Sequence, residues 1–189
     1  MPRQVKRQRA LLQLLPLLLL AMSLRVQAQD YGQSAANIND PFGLYDNIEF
    51  VGAGVGPLFF TGDLDAQYET AAAANLRLCM QLKGPLCLMS SLLGGVSKEQ
   101  GSDTGVLFAA ASVQLHARLA SASSWLQPYF EGGFGLLALQ GGQLELIAGA
   151  GLDWMVWESG GLGVHASYHY LPAEAGAMIP VLLHFSRTF

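Results

Sequence analysis

The sequence predicts an all-β protein, an eight-stranded antiparallel up-and-down transmembrane β-barrel. Three observations predict it. The chain opens on an export signal, the remainder divides into eight period-two stretches bounded by turn residues, and the last stretch stops on an aromatic residue, Phe189. A transmembrane strand takes about 9–11 residues and alternates an apolar, lipid-facing side with a polar inner side. An even number of such strands joined by short links suits an up-and-down barrel.

Residues 1–28 have the form of a secretory signal peptide. Arg3, Lys6, Arg7 and Arg9 precede an apolar run over 10–20, and Val26-Gln27-Ala28 is a small-x-small cleavage pattern. The run falls short of the ~20 residues a spanning helix needs, so an uncleaved anchor is the weaker reading. Residues 29–45, with Asn37, Asn39, Asp40, Pro41 and Gly43, read as a periplasmic lead-in without regular structure. Residues 46–189 form the barrel domain. Five of the 10 basic residues lie in the signal and none of the 14 acids do, so the mature chain carries a charge of −9. Nucleic acid demands a basic face and is excluded as a partner.

The first strand, 46–60, runs through Val51-Gly52-Ala53-Gly54-Val55 and alternates poorly, which leaves its register open. The second, 70–82, sets Leu76, Leu78, Met80 and Leu82 against Asn75, Arg77, Cys79 and Gln81, and ends in the turn Lys83-Gly84-Pro85. The third, 86–97, also has an open register. In the fourth, 105–119, Val113, Leu115, Ala117 and Leu119 oppose Ser112, Gln114, His116 and Arg118. The fifth, 125–140, sets Phe130, Phe134 and Leu136 against Gln127, Tyr129, Glu131, Gly133 and Gly135. The sixth, 143–157, sets Leu144, Leu146, Leu152 and Trp154 against Gln143, Glu145, Gly149, Gly151 and Asp153. The seventh, 161–171, sets Leu162, Val164, Tyr168 and Tyr170 against Gly163, His165, Ser167 and His169. The eighth, 177–189, alternates to the end of the chain. A soluble exported β-sandwich that binds a ligand is the rival, because sandwiches alternate too. The barrel is favoured because the polar face mixes charges with glycines while the apolar face is uniformly large, the inversion that lipid imposes. Phe59, Phe60, Trp125, Trp154, Trp157, Tyr170 and Phe189 fall near strand ends, where aromatic girdles form.

These stretches resemble the small outer-membrane β-barrel superfamily of OmpA/OmpX type and its porin-like relatives. The segment 126–135, Leu-Gln-Pro-Tyr-Phe-Glu-Gly-Gly-Phe-Gly, is similar to the Pro-Tyr-x-x-x-Gly-x-Gly strand found there. The segments 148–154 and 163–171 resemble the penultimate hairpin. Phe189 matches the terminal aromatic that the barrel-assembly machinery reads, although Arg187 stands where an apolar residue is usual. The resemblance implies a bacterial outer-membrane location with periplasmic termini. It also implies contact with outer-membrane lipids and lipopolysaccharide, the assembly machinery as a transient partner, and no cofactor. Oligomeric state is not legible.

An eight-stranded barrel is just wide enough for side chains to fill it. The inward set comprises Glu49, Arg77, His116, Arg118, Glu131, Glu145, Asp153, His165, His169 and His184. Buried charges must pair or neutralise. Arg77, Arg118, Glu131 and Asp153 share the periplasmic half, where they are expected to form a salt-bridge plug. A narrow ion path is the functional alternative. Cys79 and Cys87 flank a turn in an oxidising compartment, so a disulfide and two free buried thiols both stand open. His165 and His169 lie about 13 Å apart along a strand, too far to share an ion, so no metal site is expected.

The expectation is therefore a non-catalytic barrel serving envelope integrity or a narrow pore. The enzyme alternative rests on His165-Ala166-Ser167, which resembles the His-x-Ser of outer-membrane lipid A deacylases, with Glu174 as the acid. Tyr168 stands where that family has Asn, and alternation turns both residues away from lipid. The outer loops carry Asp63, Asp65, Glu69, Glu99, Asp103 and Glu174, which read as solvated tips.

Overall fold

The computed structural model describes residues 48–82, 85–121, 123–139, 141–157 and 159–188. The signal segment 1–28, the lead-in 29–45 and Phe189 lie outside the described residues. Eight strands follow one another: β1 (Ile48–Gly62), β2 (Ala71–Gln81), β3 (Leu86–Lys98), β4 (Gly105–Arg118), β5 (Leu126–Ala138), β6 (Gly142–Trp157), β7 (Gly160–Leu171) and β8 (Gly176–Thr188). Each pairs antiparallel with its sequence neighbours, and β1 pairs with β8 to close the barrel. Closure satisfies the backbone without leaving an edge, which is what permits a strand protein to sit in hydrocarbon.

Strand bounds differ from the sequence expectation by a few residues. β1 extends to Gly62, whose φ of 67° a side-chain-bearing residue rarely adopts, and β5 ends at Ala138. The registers left open are regular, apart from a shift between Ile48 and Phe50 at the start of β1. In β1, Phe50, Gly52, Gly54, Leu58 and Phe60 point inward, and in β3 Cys87, Met89 and Leu93 do. Gly52 and Gly54 had hidden this alternation in β1, because glycine brings no polar group to mark the inner face, and the doublets Ser90-Ser91, Leu92-Leu93 and Gly94-Gly95 had hidden it in β3.

The outer face is apolar and uncovered. Leu107 is 74% exposed, Leu183 66% and Leu136 64%. Phe59, Trp125, Trp154, Trp157 and Tyr170 also face outward. Phe60 does not belong to a girdle: it is buried inside, against Tyr68 and Phe108 at centroid distances of 5.4 and 6.4 Å.

The lumen is filled in three layers. Phe50, Cys79, Cys87 and Met89 pack at the end where β1 begins and β8 finishes, here the terminal end. A polar layer occupies the middle. The opposite, loop end is apolar, with Leu58, Phe60, Phe108, Leu137, Leu171, Met178 and Leu182 in one cluster. The β1–β2 loop completes that cluster by folding Leu64 and Tyr68 into the mouth. It is tied down by Gln100 N donating to Gln67 O at 2.8 Å, Glu69 N to Lys98 O at 2.9 Å and Ser97 Oγ to Glu69 O at 2.6 Å. The loop is therefore partly a lid rather than only a solvated acidic tip. Burial, reinforced by the carboxylates of Glu99 and Glu174, holds the Tyr68 hydroxyl above its ordinary range.

Candidate functional site

Arg77 on β2 is the hub of the middle layer. Its Nη2 meets Glu131 Oε2 at 2.6 Å, its Nη1 donates to Tyr129 Oη at 3.1 Å, and its Nε lies 3.1 Å from Met89 Sδ. The guanidinium also lies 5.4 Å from the Tyr129 ring centroid. A planar fork with five donors can bond and stack at once, which a lysine could not. Glu131 takes a second contact, from His165 Nε2 at 3.0 Å, and His116 Nδ1 stands 3.7 Å from it. The His116 ring packs against Tyr129 at 4.4 Å between centroids.

The other charges form separate groups. Glu49 pairs with Arg118 near the terminal end. Asp153 contacts His184 Nε2 at 2.5 Å. The expected single plug of Arg77, Arg118, Glu131 and Asp153 is therefore divided, because Asp153 and Arg118 each find a nearer partner. In the described residues, every histidine ring lies within 4 Å of an inward carboxylate: His116 and His165 of Glu131, His169 of Glu145, His184 of Asp153.

Glycines make the room. A Cβ on Gly151 would stand 2.2 Å from the Tyr129 ring, and one on Gly163 would stand 2.2 Å from Asp153 Oδ1. A Cβ on Gly149 would likewise meet Glu131 and His165, and one on Gly135 would meet Glu145, so glycines leave the space that these side chains occupy.

The structure rearranges the hydrolase constellation. Ser167 Oγ lies 2.8 Å from His169 Nε2, and His169 Nδ1 lies 2.9 Å from Glu145 Oε2. His165 instead contacts Glu131 and, through Nδ1, Tyr129 Oη at 3.3 Å. Glu174 sits in the β7–β8 loop and accepts from Gln143 Nε2 at 2.7 Å. The grouping of His165, Ser167 and Glu174 does not form. The Ser-x-His spacing at 167–169 was visible in the sequence, but its acid comes from the neighbouring strand and only the β6–β7 register brings it in.

Ser167, His169 and Glu145 are all buried, and the cavity beside them has a volume of about 10 Å³. Such a space holds a water at most. Arg77, Gln114, Glu131, His165 and Ser167 line it.

Cys79 and Cys87 are bonded, with their Cα atoms 5.9 Å apart. They are diagonal neighbours, since Cys79 stands opposite Met89 and Cys87 opposite Gln81. The two cysteines thus share the inner face of the hairpin without standing directly opposite one another. Glu49 and both sulfurs converge within 4.8 Å. Sulfurs bonded to each other are not thiolates, the form that ligates metal.

No family model matches the chain, and no curated protein matches it either. Solved structures do. Neisserial surface protein A is similar at a TM-score of 0.62 and 12% identity, over 74% of this chain and 96% of that one. The attachment invasion locus protein Ail of Yersinia pestis gives 0.55 and 13% over 76% and 99%. The N-terminal β-barrel domain of Pseudomonas aeruginosa OprF gives 0.52 and 13% over 74% and 98%. At such identity the likeness is one of fold.

Proposed function

We propose, from the premise that this chain has the fold of the small OmpA/OmpX-type outer-membrane barrels, that it is a closed, non-catalytic barrel of the bacterial outer membrane. Its work is structural, in envelope integrity, and its lumen does not conduct. The apolar layer at the loop end carries this reading. Leu58, Leu137, Leu171 and Met178 are each 0% exposed, and Leu64 and Tyr68 cap them at 1% and 2%. A permeating ion would have to shed its water against aliphatic carbon there, at a cost of several kcal/mol. Below that layer Arg77, Tyr129, Glu131 and His165 are joined to one another, as are Ser167, His169 and Glu145, across the width of the lumen. The uncovered belt of leucine, valine and aromatic side chains suits outer-membrane acyl chains, and lipopolysaccharide and the barrel-assembly machinery are the partners this location implies.

One observation favours a second reading, a serine hydrolase. The Ser167–His169–Glu145 chain has the order and spacing in which a histidine activates a serine hydroxyl. Against it stand the burial of all three residues and a neighbouring space too small for an acyl group. Deleting the gene and complementing it separates the readings. The structural account expects raised sensitivity to detergents and bulky antibiotics, with Ser167→Ala restoring resistance as well as the native gene. Loss of restoration, together with lipid acyl chains retained in both the deletion and the Ser167→Ala strains but removed in the strain complemented with the native gene, would establish the hydrolase.

A further inference from the structure

Both disulfide sulfurs lie inside the barrel. Cys79 and Cys87 are each 0% exposed, with Phe50 and Met89 packed about them at 7% and 0%. The Glu49 carboxylate comes within 4.8 Å of both sulfurs, and Arg118 pairs with it. The surrounding wall is continuous. β2 is paired to β3 from Ala72 to Gln81, and β3 to β4 from Leu86 to Lys98. A closed barrel offers no edge strand to peel away.

Thiol–disulfide exchange proceeds by direct attack of a thiolate on sulfur, through a mixed disulfide, and so requires access to the sulfur. Nothing the size of a protein can make that approach in the closed barrel. The pair is nonetheless local, 8 residues apart within one hairpin. Bringing its ends together carries a small loop-closure cost and needs none of the other six strands.

We propose that this chain is the substrate of a protein disulfide oxidant that acts before the barrel closes, on the β2–β3 hairpin of the open chain. One cysteine thiolate attacks the oxidant's disulfide, forming a mixed disulfide and expelling a thiolate on the oxidant. The second cysteine, its proton given to solvent, attacks the first cysteine's sulfur and releases the oxidant as a dithiol. Two electrons pass from the cysteine pair to the oxidant, and the two protons the pair gives to solvent are matched by two that the oxidant's thiolates take from it. The bond then holds Cys79 and Cys87 on one face. A one-residue slip of the hairpin, which would turn one cysteine outward, is excluded before strand closure begins.

The test uses the mature chain, reduced with dithiothreitol. One portion is held in urea and the other is folded into detergent micelles, its folding read by mobility of unboiled samples on SDS gels. Glutathione disulfide is added to both, and free thiols are counted after denaturation by maleimide-polyethylene glycol gel shift. Oxidation of the folded, reduced barrel is expected to be slower than that of the urea-held chain by about a hundredfold or more, since it waits on opening of the structure. A reduced chain that reaches the folded mobility only after oxidation would support the same order of events. Oxidation of the folded barrel within a few-fold of the unfolded rate would overturn the proposal.

Discussion

Replacing Arg77 with methionine removes the hub of the lumen while keeping most of its aliphatic volume. The Arg77 and Glu131 side chains are 2% and 1% exposed and meet at 2.6 Å. Taking away one member of a buried pair leaves the other charged and uncompensated, at about 3–5 kcal/mol. His165 Nε2 still faces the carboxylate at 3.0 Å, which places the expected loss at the low end, about 3 kcal/mol. Replacing Glu131 with glutamine in the same chain removes the stranded charge. The double variant Arg77→Met/Glu131→Gln is expected to recover about 2 kcal/mol of that loss, a coupling typical of residues in contact. The assay is the urea midpoint of folding in micelles, scored by the fraction of unboiled protein with barrel mobility. A single variant within 1 kcal/mol of the native chain, about the scatter expected of a solvated pair, would refute the idea that the ion pair is buried. So would a double variant no more stable than the single one.

Other substitutions probe the remaining layers. Gly151→Ala pushes a methyl group into the Tyr129 ring and is expected to cost about 1–3 kcal/mol, with part of it recovered by Tyr129→Leu, in the same urea assay. Leu171→Ala in the apolar layer is expected to cost about 2–4 kcal/mol, because the residue is fully buried among close neighbours. Removing the disulfide by Cys79→Ala/Cys87→Ala frees a short loop in the unfolded chain and is expected to lower stability by about 2.5 kcal/mol. The raised hydroxyl of Tyr68 predicts a pH effect on the lid. The neutral form is favoured in the folded state, so its contribution is intact below about pH 10, the usual phenol value, and is lost as pH rises above it. Protease cleavage in the β1–β2 loop should increase above that pH in the native chain, and Tyr68→Phe should abolish the pH-dependent part of the increase.

Much of the fold was legible because alternation is a local property. Which side chains share a face in β2, β4, β6 and β7 follows from counting by two, and the turn residues between them mark where each strand stops. Depth in the lumen is a different quantity. It depends on how far each strand is staggered against the next, and no single strand carries that information. Asp153 therefore looked like a partner for arginine until the β6–β7–β8 registers set it against His184. The same cause hid Glu145 as the partner of His169. The apolar layer was missed for another reason. Leu137, Leu171 and Leu182 lie at inward positions, but isolated leucines among polar residues read as noise until the barrel gathers them at one level. Tyr129 was placed on the polar face yet not among the charged set, although its hydroxyl and ring touch Arg77, His116 and His165.

The proposed barrel is closed along its length by its own side chains. Single-channel recording of the purified, refolded mature chain in planar bilayers tests it most directly. A quiet membrane is expected, with no ohmic steps above those of protein-free detergent at moderate voltage and salt. Regular, reproducible conductance steps from the native chain would contradict it, because no ion can cross the layer of Leu58, Leu137, Leu171 and Met178 as it is packed here.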